Sequence, residues 1–260
     1  MEGKSSASIA SGFLILFIVY HFPEFYSSFW LMAIFKIGFL FSAYFIARLQ
    51  GWRGLEGFGL KLRNRWALKL IAGIFAGLIF FAIAVFFSHF LGYETITGKL
   101  SLTPMLKSLP MILIMTLFPS IAEDILTRGY LFGHLKSLRS FVWILLSSTV
   151  YLLNHIWRLD DGPSVLLYLF VFGILLAIAV WFTGSLWLAF GIHWGANIAF
   201  EISAKIPTAE NPAYPEGPNW ILTFTWTILL FFLLLFVRSK YLPVNHFSFK
   251  KEKCVKSNKQ

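Results

Sequence analysis

The stretch Met111 to Phe132, MILIMTLFPSIAEDILTRGYLF, is long and apolar enough to cross a membrane, yet it carries Glu123 and Asp124 side by side, with Arg128 four residues after Asp124. A carboxylate withdrawn from water costs several kcal/mol unless it is neutralised, paired or set beside a wet cavity. An acidic pair at that depth therefore marks a functional site. On a helix Asp124 and Arg128 share a face as an i,i+4 pair, while Glu123 points about 100° away from them.

Composition supports the membrane reading around this stretch. Of 260 residues 58% are hydrophobic, among them 30 Phe and 10 Trp, and the mean hydropathy is +0.72, more than a soluble surface tolerates. The expected fold is all-α, a polytopic transmembrane helical bundle of about eight spans. They fall at roughly 9–23, 29–49, 67–91, 109–132, 141–157, 164–182, 185–203 and 219–238.

The net charge of +10 resembles a nucleic-acid signature until the cations are sorted by loop. With the N-terminus cytoplasmic, 17 cations fall inside, including the six from Arg48 to Lys69 and the seven from Arg238 to Lys259, against Lys99, Lys107, Arg158 and Lys205 outside. That asymmetry is the positive-inside pattern, so both termini are expected in the cytoplasm and no nucleic-acid partner is expected. Lys36 is left within a span. The first 23 residues pair Lys4 with an apolar run, but no small-residue cleavage site follows Tyr20, so an uncleaved first span is expected. The single cysteine, Cys254, excludes an internal disulfide and a thiol protease.

No connection between spans is long enough for a soluble domain. We read one integral membrane domain over 1–260 with a basic cytoplasmic tail at 239–260. The loop Gln50 to Trp66, which mixes aromatic and basic residues, suits a segment at the headgroup boundary.

Polar groups within spans form three clusters: Glu123 to Arg128, Tyr151 to His155 with Asn154 adjacent, and His193 to Asn197. A free Glu, two His and an Asn suffice for water-based acyl chemistry, as base, proton carrier and oxyanion donors. Each has an ordinary alternative: Arg128 as a topology charge, His155 as a polar cap at a wet helix end, His193 and Asn197 as interhelical glue. Two neighbouring acids with one basic partner resist such an explanation best.

The three clusters resemble the CPBP, or type II CAAX prenyl protease, family of intramembrane proteases. Its Glu-Glu-x-x-x-Arg-Gly corresponds to Glu123-Asp124-Ile125-Leu126-Thr127-Arg128-Gly129, its Phe-x-x-x-His to Tyr151 and His155, and its His-x-x-x-Asn to His193 and Asn197. Leu131-Phe132 and Thr183-Gly184-Ser185-Leu186 extend the likeness, which covers roughly 109–200 as the catalytic core. Asp124 for Glu, Thr127 for an aromatic and Tyr151 for Phe are departures. The resemblance implies that Glu123 and His155 activate a water for attack on a peptide carbonyl while His193 and Asn197 stabilise the oxyanion. Asp124 is expected to pair with Arg128 in a supporting role. No cofactor is expected.

The competing readings are a zinc metalloprotease using Glu123, His155 and His193 as ligands, and a non-catalytic membrane protein, either a transporter or a scaffold for bacteriocin immunity. No His-Glu-x-x-His motif supports zinc, and no Gly-x-Ser-x context supports a rhomboid-type serine protease. The expected partners are the lipid bilayer and a membrane-associated peptide or protein, possibly a prenylated CAAX tail. The expected location is a bacterial plasma membrane. Counting helical rise inward from Pro110 and Leu186 puts Glu123 and His193 at one level in the cytosolic half of the bilayer, whereas His155, counted from Phe141, does not fit that level. Pro119 is the expected source of helix irregularity.

Overall fold

The computed structural model describes residues 6–63, 65–98 and 102–241. Lys4, Lys99, Cys254 and the expected basic tail from residue 242 onward lie outside the described residues.

Eight helices coincide with the eight expected segments: α1 Ser6–His21, α2 Phe29–Leu49, α3 Trp66–Phe90, α4 Leu102–Asp124, continued through a π-turn Ile125–Gly129 into α5 Tyr130–Leu135, then α6 Ser140–Asn154, α7 Pro163–Thr183, α8 Trp187–Ser203 and α9 Gly217–Tyr241. Among the described residues, six helical spans are long and apolar enough to cross a membrane, α4 and α5 counting as one. Helices α6, of 15 residues, and α8, of 17, fall short of that length. α6 starts on exposed Phe141 and ends on buried Asn154, while α8 starts beside buried Leu186. Lipid-facing surface is apolar, with Phe41, Phe75, Phe86 and Phe224 all exposed. The all-helical expectation needs one amendment, a ribbon in which β1 Glu94–Ile96 pairs antiparallel with β2 Thr208–Glu210. Strands this short leave no alternating pattern to read.

Local chemistry sets the helix ends. Ser28 accepts a hydrogen bond from the Leu31 amide at 3.3 Å and caps α2. Pro163 opens α7, where its missing N–H costs nothing, and Gly184 closes it at φ 60°. Pro119 does not interrupt α4; the irregularity lies further on, in the π-turn after Asp124. Such turns gather at functional sites. The Thr127 carbonyl in that turn accepts a hydrogen bond from Ser147 Oγ of α6 at 3.0 Å.

α3 and α8 meet along two glycine pairs, Gly73 and Gly77 against Gly191 and Gly195. A Cβ at Gly77 would overlap the Ile192 carbonyl oxygen and one at Gly195 the Ile74 carbonyl oxygen. Backbones come this close only where side chains are absent. The contact holds α8 deep in the bundle, with His193 of the same helix 2% exposed.

The loop after α2 does not lie flat. Phe58 and Leu60 turn inward, and the Gly59 carbonyl accepts a hydrogen bond from the Leu186 amide at 3.1 Å, so the α7–α8 turn is buried beneath the loop. At the opposite end Trp157 donates to Glu24 at 3.2 Å and the Thr97 amide donates to the Pro207 carbonyl at 2.9 Å. Connections therefore segregate to two ends, with Arg53, Lys61 and Arg63 at one and the ribbon at the other.

Gly77→Leu and Gly195→Leu are expected to destabilise the protein by at least about 2 kcal/mol, the scale of core overpacking. Gly38→Ala, where a Cβ meets nothing within 4 Å, should leave stability unchanged. Thermal unfolding in detergent distinguishes the two outcomes.

Candidate active site

Glu123 and Asp124 end α4 as adjacent residues, and the helix turns them to different partners. Asp124 and Arg128, both fully buried, form an ion pair. Arg128 also donates to Thr127 Oγ1 at 3.0 Å, and its guanidinium carbon stands 4.3 Å from the centre of the Tyr151 ring. Burial removes Arg128 from the topology charges. It also accounts for one departure from the family pattern, since the Thr127 hydroxyl serves the cation, whereas the Tyr151 ring offers it what a Phe ring would. Asp124 Oδ2 and Arg128 Nε and Nη2 have no hydrogen-bond partner among the described residues.

Glu123 faces the other way. Its Oε1 lies 3.6 Å from His155 Nδ1, and its Oε2 lies 3.6 Å from His193 Nε2. Both imidazoles thus flank one carboxylate. Glu123 is not unpartnered as the sequence suggests, because Asn154 Nδ2 donates to Oε1 at 3.1 Å. From sequence Asn154 is legible only as a neighbour of His155; its place at the last turn of a polar-ended helix is the available signal.

His155 stands just beyond α6 with φ −89° and ψ 53°, and its Nδ1 bonds the Tyr151 carbonyl at 2.9 Å. The depth conflict for His155 disappears in the hairpin formed by α5 and α6. Helical rise from Glu123 to Leu135 is about 18 Å, and from Ser140 to His155 about 22 Å, so both side chains reach one level. His193 Nδ1 approaches Asp124 Oδ1 at 3.2 Å, but the direction is too poor for a hydrogen bond. One turn later Asn197 Nδ2 donates to Ser120 Oγ at 2.9 Å, and Ser120 donates to the Thr116 carbonyl at 2.6 Å.

Glu123, His155, His193 and Asn197 all line one cavity of about 350 Å³. Its apolar wall includes Phe81, Phe172, Phe200 and Trp226, and its polar margin includes Arg158 and Asn219. Burial opposes the Arg158 charge, but hydrogen bonds to Asp161 and Tyr168 more than offset that cost and raise its pKa above the ordinary value. A second cavity of about 280 Å³ shares Phe81, Phe200, Asn219 and Leu222 and reaches Glu94 and Glu210 on the ribbon. The site thus opens toward the ribbon end, away from the cation-rich loop. Asp124 and Arg128 do not line the cavity. Among the described residues no group of three His, Cys, Asp or Glu is arranged to hold a metal ion.

The chain is thus a helical membrane protein with a carboxylate between two imidazoles on one internal cavity. Residues 104–199 match the family described as Rce1-like, type II CAAX prenyl endopeptidase. The match covers all three motifs, and the family resemblance read from them stands over that segment. No curated protein and no solved structure matches the chain. Helices α1, α2, α3 and α9 lie outside the matched segment.

Breaking a buried ion pair from one side leaves a bare charge and costs about 3–5 kcal/mol. Arg128→Ala and Asp124→Ala are each expected to show that loss by thermal unfolding, and the double variant should lose less than the sum of the two.

Proposed function

We propose that the chain is an intramembrane endopeptidase that hydrolyses a peptide bond of a membrane-associated substrate. The observation that carries this reading is the placement of Glu123, His155, His193 and Asn197 on one cavity within the bundle. Glu123, assisted by His155, takes a proton from a water whose oxygen attacks the scissile carbonyl carbon. His193 and Asn197 donate to the oxyanion that forms, and the proton held at the Glu123–His155 pair passes to the leaving amine as the intermediate collapses. Distances of 3.6 Å between Glu123 and the two imidazoles suit a substrate-free site, where catalytic hydrogen bonds are commonly long and tighten on binding.

Asn197 keeps one amide hydrogen on Ser120, which fixes its orientation and leaves the second for the cavity. Asp124 and Arg128 act as a support that holds the end of α4 in register; the burial of both away from the cavity favours that role over direct catalysis. The single domain expected over 1–260 is consistent with a hydrophobic core that runs from Leu16 through Trp143 to Leu229.

The cation asymmetry supports an orientation with both termini cytoplasmic and α6 and α8 completing an eight-helix traverse. The cavity mouth at Arg158 and Asn219 then faces the extracytoplasmic side. Cysteines placed at Asp160 and at Lys136 should be labelled by an impermeant maleimide from outside and from inside the cell, respectively. The reverse pattern would overturn the orientation and leave the chemistry untouched.

For the chemistry, purified protein is offered membrane-associated peptides with and without exhaustive chelation. Glu123→Gln is expected to abolish cleavage, and Asn197→Ala to fold normally but turn over about 100–1000-fold more slowly, as for loss of one oxyanion donor. Chelation should have no effect. Loss of activity on chelation, restored by zinc, would replace this mechanism with a metal-based one, and equal cleavage by wild type and Glu123→Gln would refute the site.

A further inference from the structure

A second buried polar cluster lies on α1, α2 and the short turn between them, outside the matched segment. Lys36, a cation within α2 that topology does not explain, is buried and stands 3.1 Å above the centre of the Tyr20 ring. Its Nζ donates to Glu24 Oε1 at 2.9 Å and to the Tyr20 carbonyl at 3.0 Å. The other oxygen of Glu24 accepts from Trp157 at 3.2 Å and meets His21 Nδ1 at 2.6 Å. His21 Nε2 in turn meets Asn154 Oδ1 at 3.0 Å, and Asn154 Nδ2 donates to Glu123. Unbroken hydrogen bonds therefore run from Lys36 through Glu24, His21 and Asn154 to the carboxylate between the two imidazoles.

The direction of these bonds follows from chemistry. An ionised Glu123 only accepts, so Asn154 must turn its NH₂ toward Glu123 and its carbonyl oxygen toward His21. His21 Nδ1 bonds the Glu24 carboxylate and its Nε2 meets the Asn154 oxygen, so the ring is held between the two. A flipped Asn154 amide would set oxygen against oxygen at Glu123. Glu24, held by Lys36, fixes the imidazole ring, and the ring contacts the amide at its oxygen.

We propose that His21, with Glu24 and Lys36 behind it, is a positioning residue that locks the Asn154 amide and thereby aims Glu123 at the reacting water. This rests on the endopeptidase reading and extends its machinery to helices α1 and α2. Residues that orient a reacting group through a hydrogen bond typically contribute about 10–100-fold in activity.

The test uses the full chain in lipid nanodiscs with two readouts: kcat and KM for a cleaved peptide, and the infrared carboxylate stretch of Glu123, isolated by difference against Glu123→Gln. His21→Ala should lower kcat about 10–100-fold with KM within about twofold, and should shift the band as Asn154→Ala does. His21→Gln, which retains an N–H donor, should recover part of the rate, and His21→Ala should add nothing further in an Asn154→Ala background. If His21→Ala does not fold, Lys36→Met and His21→Gln carry the same comparison. Full additivity of His21→Ala with Asn154→Ala, or an unchanged band and kcat, would overturn the proposal. A shifted band in a protein that cleaves nothing would sustain the positioning role and defeat the peptidase reading instead.

Discussion

Every ionic group inside a lipid-embedded bundle must be neutralised by another part of the same chain, because hydrocarbon supplies neither counter-charge nor hydrogen bond. The pair Asp124–Arg128 is where this constraint binds hardest. Both groups are fully buried, and the surroundings are organised to serve them, through the Thr127 hydroxyl, the Tyr151 ring and the turn that brings α6 alongside. Neutralising Arg128 with Asp124 releases Glu123 to face the cavity. One acid stabilises the structure and the adjacent one is available for chemistry, and the roughly 100° between successive helical residues keeps the two roles apart.

Packing turns that local division into a site. Glu123 arrives on a helix that widens into a π-turn, His155 stands just past the end of a helix, and His193 and Asn197 sit one turn apart on α8. Only the close glycine contact between α3 and α8 lets the last pair reach the first two. The buried α7–α8 turn, bonded to Gly59, sets where α8 begins and so how deep His193 lies.

The three motifs were legible because each has helical spacing and because charged or hydrogen-bonding residues stand out in an apolar run. The common level counted for Glu123 and His193 fits the 3.6 Å between Glu123 Oε2 and His193 Nε2. His21, Glu24 and Lys36 were unreadable as partners of the site. They lie roughly 100 residues before Glu123 in the chain, and Lys36 alone reads only as an unexplained charge within a span.

Composition and periodicity alone determined a helical membrane bundle and the polar clusters within it, because apolar length and i,i+4 spacing are local properties of the chain. Which groups meet which was decided by tertiary structure. Asn154 donates to Glu123, a remote histidine contacts Asn154, and the cavity opens toward the ribbon. Those outcomes depend on how close two helix backbones approach and which turns are covered, and such distances arise only when separate segments pack together.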